Sequence, residues 1–218
     1  CDLINMSYGE PTSTPNRGWF IDQVNELVRE HNVTFVASAG NAGPALSTVG
    51  APGGTSSSIL AVGAYVHTSM MPLQYGMAHT PQNNLYTWSS RGPTTDGDLG
   101  VNFCAPGGAI APVPTSSLVP AMQMNGTSMA SPTACGIGAL LIQDWRAQYP
   151  ERADMANSTL KALLAHTAAD LGNAGPDLQY GYGSIRTKAA VEHLRGDSHL
   201  EAEVSSGETF EFLVITYA

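Results

Sequence analysis

The segment Asn125-Gly126-Thr127-Ser128-Met129-Ala130-Ser131-Pro132 leads into an apolar stretch that reads as one long helix, from Met129 to about Trp145. A helix this apolar belongs in a core, so the rest of the chain must cover it. A buried helix has little reason to begin on a Gly-Thr-Ser turn unless something sits on its first free N–H groups. Those groups carry partial positive charge and suit a developing anion. A serine hydroxyl held there is placed to attack a carbonyl. Serine is also a good helix cap, and Asn-Gly-Thr-Ser taken alone fits that plainer role.

Four apolar runs surround this helix: Leu3 to Tyr8, Val33 to Ala37, Ile59 to Tyr65 and the shorter Phe103 to Ala105. They are continuous rather than alternating, which predicts parallel strands covered on both faces. Trp19, Phe20, Ile21, Val24, Leu27 and Val28 recur at helical spacing. Two more helices are expected, over Leu160 to Ala168 and Thr187 to Leu194, with Ser158 or Thr159 capping the first. Glycine and proline cluster at 40–54, 91–97 and 105–114, marking loops of the kind that carry sites. Strand-like alternation over Glu201 to Tyr217 reads as the start of another, β-rich region. The expected fold class is α/β, a mostly parallel sheet with helices on both faces. Residues 1–198 form one unit and 199–218 begin the next.

The formal charge of −9 over 218 residues argues against nucleic acid and anionic membranes as partners. The longest apolar run, Ala134 to Ile142, is too short to span a bilayer. Three cysteines give no disulfide framework, consistent with a reducing compartment or simply with buried thiols. No carboxylate or Cys/His cluster has metal-ligand spacing, so neither a metal nor another cofactor is expected. The chain begins without methionine on what reads as mid-strand, so a piece of a longer protein is expected.

Asn41 lies in Ser38-Ala39-Gly40-Asn41-Ala42-Gly43, directly after the second strand, where open α/β sheets place their sites. Its amide can donate to an oxyanion, although asparagine between glycines also makes ordinary turns. Ser7-Tyr8-Gly9-Glu10 closes the first strand in the same way, and an exposed glutamate there is by default a solvated one.

The run Gly126 to Pro132 resembles the nucleophile motif of the subtilisin-like serine proteases, and Ala39-Gly40-Asn41 resembles their oxyanion loop. Tyr86 to Pro93 and Ala105 to Gly108 match the family too, in stretches read as packing the base of the site. The resemblance implies that Ser128 is the nucleophile and that Asn41 stabilises the oxyanion. It further implies that Ser7, Tyr8, Gly9, Glu10, Ser38, Ala39 and Gly40 bind an oligopeptide substrate. The words Cys1 to Glu10 and Asn41 to Gly54 are most similar to an exopeptidase branch that takes tripeptides from free N-termini. That branch implies a cytoplasmic homo-oligomer in which Glu10 binds the substrate's α-ammonium. The other readings are a broad-specificity endopeptidase, or a non-catalytic peptide-binding or structural fragment.

Family order places the catalytic Asp and His before the Ser. None of the six histidines stands in a His-Gly-Thr-His context, and no aspartate follows an apolar strand as Asp-Ser-Gly or Asp-Thr-Gly. Both partners are therefore expected upstream of Cys1. The 218-residue chain alone should not be a working peptidase. Its residual rate should not exceed the roughly 10³ to 10⁴ over water that an oxyanion site without its base retains. Turnover of a tripeptide amide by the purified chain, abolished by Ser128→Ala, would contradict this.

Overall fold

In the computed structural model, residues 1–11, 14–82 and 84–197 are described, with 206, 207 and 209. The expected strands near the C-terminus lie otherwise outside the described residues. Strands β1 (Leu3–Met6), β2 (Thr34–Ser38), β3 (Ile59–Val66) and β5 (Phe103–Pro106) form a parallel sheet in the order β1-β2-β3-β5. A two-residue strand, β4 (Asn84–Leu85), pairs antiparallel with the end of β3. This is the predicted α/β arrangement.

The continuous apolar runs divide between two faces, as a period of two requires. Phe35, Ala37 and Ile59 pack with Ile21, Val24 and Val28 of α1 (Trp19–Glu30). Val36, Leu60, Val62, Ala64, Phe103 and Ala105 face the other way. There they meet α3 (Thr127–Gln148), α4 (Asn157–Thr167) and α5 (Thr187–Arg195). A short helix, α2 (Met71–Tyr75), follows β3.

Helix α3 lies across the sheet. Its buried positions Thr127, Ala130, Ser131, Ala134, Gly138, Leu141, Ile142 and Trp145 recur every three or four residues. Small residues at the front let the helix approach the sheet closely. A Cβ on Gly138 would lie 3.1 Å from Leu3 Cδ2 of β1. At the far end Trp145 is 1% exposed, and its indole N–H donates to the Ala153 carbonyl at 2.9 Å. The core therefore holds the first turn of α3 against the C-terminal ends of β1 and β2.

Several boundaries differ from the sequence reading, and α3 begins at Thr127, two residues before the expected Met129. The first strand ends at Met6, its last paired residue, which lies opposite Ala37 of β2. Helix α4 starts at Asn157 with Ala156 before it, and no side chain caps it, so Ser158 and Thr159 lie inside its first turn. Part of the expected loop at 105–114 is instead a hairpin, β6 (Gly108–Pro112) with β7 (Ala121–Asn125). Among the described residues, no helix is long and apolar enough to cross a membrane.

Trp145→Ala should cost about 3 to 5 kcal/mol in urea unfolding, the range for an aromatic removed from a packed core. Trp19, at 77% exposed, is the internal control. Its replacement by alanine should change stability by less than about 0.5 kcal/mol. Similar losses from the two variants would show that α3 is not the core's anchor.

Candidate active site

The C-terminal ends of β1 and β2 and the start of α3 converge on one open cleft of about 520 Å³. Segments 7–10 and 38–41 and Ser128 all line it, so every site residue expected from the sequence lies in a single place. Thr127, Ser90 and the loop 47–51 complete the wall.

Gly40 makes the turn out of β2 possible. Its φ of 112° belongs to glycine, and a Cβ there would sit 2.7 Å from Ser90 Oγ. The turn carries Asn41 over the start of α3. Asn41 Oδ1 then accepts two hydrogen bonds from Thr127, from the backbone N–H at 3.0 Å and the hydroxyl at 2.9 Å. The backbone N–H can only donate, so it fixes which end of the amide is oxygen. The Nδ2 group is left pointing away from the clamp. A Cβ built on Gly126 would lie 3.5 Å from Ser128 N and 3.7 Å from Asn41 Nδ2, so both donors border the space above that bare glycine.

Three of the four first-turn N–H groups of α3 have acceptors. Thr127 N–H goes to Asn41, while those of Met129 and Ala130 reach the Gly126 carbonyl at 3.0 and 3.4 Å. Among the described residues, Ser128 N–H has no protein acceptor. Two N–H donors at a helix N-terminus thus converge beside a serine whose hydroxyl donates to the Ser7 carbonyl at 3.2 Å. This arrangement can hold an oxyanion next to a nucleophile. Ser128 sits within the helix rather than at its cap, which is Gly126. The plain capping role is therefore excluded.

The remaining expected residues play more varied parts. Glu10 exchanges two backbone hydrogen bonds with Ala51, at 2.8 and 2.7 Å, and its carboxylate accepts the Tyr8 hydroxyl. That bond, followed by the carboxylate's charge, raises the Tyr8 phenol above its usual pKa. Ala39 donates to Val62 and accepts from Gly50. Gly40 donates to Thr127 Oγ1 and accepts from Ser90 N–H. The backbone of these two residues is paired inside the protein, so they form wall. Residues 7–9 lie outside any strand. Ser89 and Ser90, in the matched stretch before β5, are fully buried, and Ser90 Oγ accepts the Ala42 N–H at 3.1 Å.

Neither histidine nor aspartate lines the cleft among the described residues. His166 stands instead beside His193 of α5, with ring centroids 4.7 Å apart. No group of three or more potential metal ligands is found among the described residues. Thr127 is the functional residue that sequence reasoning missed. It stands directly before the serine, but its burial is visible only in the structure and its partner lies 86 residues away.

The chain belongs to the subtilase family of serine peptidases, whose family model matches residues 1–183. It is 51% identical to a tripeptidyl-peptidase 2 of Oryza sativa subsp. japonica over 197 residues, which is 89% of this chain and 14% of that protein. It is 45% identical to a tripeptidyl-peptidase 2 of Drosophila melanogaster, over 88% of this chain and 13% of that one. Pyrolysin of Pyrococcus furiosus is 32% identical over 89% of the chain and 15% of its own length. The chain thus spans about a seventh of these relatives. Among solved structures, the prenylagaramide maturation protease PagA superposes with a TM-score of 0.68 at 22% identity, covering 90% of this chain and 63% of that one. That likeness supports the fold.

The Tyr8–Glu10 contact has a direct readout. In a ¹³C-tyrosine NMR titration, Tyr8 should lose its proton above the ordinary value of 10. Glu10→Gln removes the carboxylate that holds the proton in place, so the Tyr8 value should fall. An unchanged Tyr8 titration in the variant would mean the contact is not formed in solution.

Proposed function

We propose that this chain is the nucleophile-bearing part of a peptidase that removes tripeptides from the free N-termini of oligopeptides. Ser128 Oγ attacks the scissile carbonyl and forms an acyl-enzyme. Asn41 Nδ2–H and Ser128 N–H receive the oxyanion. The general base and its orienting carboxylate are a His and an Asp supplied from upstream in the longer protein, in the family's order Asp, His, Ser. Cytoplasmic location and homo-oligomeric assembly belong to the same proposal and rest on the resemblance alone.

One observation favours the exopeptidase over a general endopeptidase. A carboxylate, Glu10, shares the cleft with Ser128 and Asn41, and a pair of backbone hydrogen bonds to Ala51 fixes its main chain. An extended peptide advances about 3.3 Å per residue, so a fixed carboxylate can measure how far its charged end lies from the scissile bond. The identity of 51% to a tripeptidyl-peptidase 2 supports the same reading.

In the full-length protein, Glu10→Gln should reduce kcat/KM for peptides with a free α-amino group by about 1.5 to 3 kcal/mol, the size of a charge-assisted contact. N-acetylated peptides should be poor substrates of the wild type and hardly affected by the change. Size-exclusion chromatography of the variant checks that assembly survives. Equal losses for free and acetylated peptides would make Glu10 structural and leave the endopeptidase reading in front.

A further inference from the structure

Pro132 lies four residues after Ser128, inside α3. A helical residue at that position would donate its N–H to the Ser128 carbonyl. Proline has no N–H, and its ring crowds the carbonyl four residues back. The nucleophile's own C=O therefore lacks its helical partner.

The structure supplies a substitute from another element. Ser7 Oγ, just beyond β1, donates to the Ser128 carbonyl at 2.9 Å. The Ser7 hydroxyl is oriented in turn, because Asn5 Nδ2 donates to the same oxygen at 3.1 Å. Asn5 is held by Ser131, whose hydroxyl donates to Asn5 Oδ1 at 2.7 Å. Ser131 is fully buried and lies one helical turn after Ser128. The bonds form a loop that leaves α3 at Ser131, passes through Asn5 and Ser7, and returns to α3 at Ser128.

We propose that Ser7 is a positioning residue for the nucleophile, acting through its side chain. Its hydroxyl replaces the hydrogen bond that Pro132 removes, and so fixes the orientation of the Ser128 residue, including its Oγ and N–H. This differs from a role in pairing with substrate, which would use the main chain of residues 7–9. The inference rests on the peptidase reading above.

The loop makes a prediction that a merely structural serine would not satisfy. Restoring an N–H at position 132 should make the Ser7 hydroxyl dispensable. In the full-length protein, Ser7→Ala should slow fluorophosphonate labelling of Ser128, and lower kcat, by roughly tenfold, the size of one hydrogen bond to a group left otherwise unpaired. KM should stay near the wild-type value, and Ser7→Thr, which keeps a hydroxyl, should recover most of the rate. In a Pro132→Ala background, the same Ser7→Ala change should cost less than about twofold, because the backbone N–H restored by that substitution now serves the carbonyl. Circular dichroism confirms that each variant folds. If Ser7→Ala alone does not fold, its folding and labelling in the Pro132→Ala background still support the proposal, whereas failure in both backgrounds overturns it. Equal losses in the two backgrounds, or no loss in either, overturn it as well. A wild-type protein that does not label at Ser128 would instead sink the peptidase reading and the inference with it.

Discussion

The two hydrogen bonds from Thr127 to Asn41 Oδ1 tie the loop after β2 to the first turn of α3, and the geometry of the cleft depends on them. One oxygen takes both donors, so the Asn41 amide has a single orientation. Its Nδ2–H faces the space beside Ser128 without having to be reoriented during a reaction. Preorganised donors of this kind stabilise a developing charge because no reorganisation is needed when the charge appears. Thr127 also accepts from Gly40, so a single buried threonine ties the turn, the amide and the helix start together.

That clamp works only if α3 is held still, which is the task of the core. The helix is long and has small residues along its leading turns, with Trp145 closing the far end. Its small front allows close approach to β1 and β2. Both strands then end beside Ser128. Gly126 serves the same economy of space, leaving bare the region bordered by the two donors. The site is thus assembled from three chain segments far apart in sequence. Each is placed by a regular element ending at the same edge of the sheet, as in other open α/β folds.

Much of this was legible in the sequence because burial on both faces leaves a simple mark. The runs at Val33 and Ile59 are continuously apolar, and each is a central strand. The serine motif and Gly40-Asn41 could be placed because glycine at φ 112° and a helix start both leave local signals. Pairings between distant residues were not legible. Nothing local says that Thr127 will meet Asn41, or that Ser7 will serve a carbonyl orphaned by Pro132. The hairpin β6–β7 was also missed. It pairs Ala109 with Met124 and Pro112 with Ala121. It is exposed along most of both strands, so it lacks the inside–outside alternation that marks a half-buried strand. The end of β1 was not legible either, because it is set by its last pairing, Met6 with Ala37, across strands far apart in sequence.

The central claim is that Asn41, locked by Thr127, acts on the transition state rather than on bound substrate. Its most direct test is the steady-state kinetics of Asn41→Ala in the full-length protein. The account predicts that kcat falls by about 10² to 10³, the cost of removing one oxyanion donor in a subtilisin, while KM stays near the wild-type value. An unchanged kcat in a folded Asn41→Ala variant would contradict it.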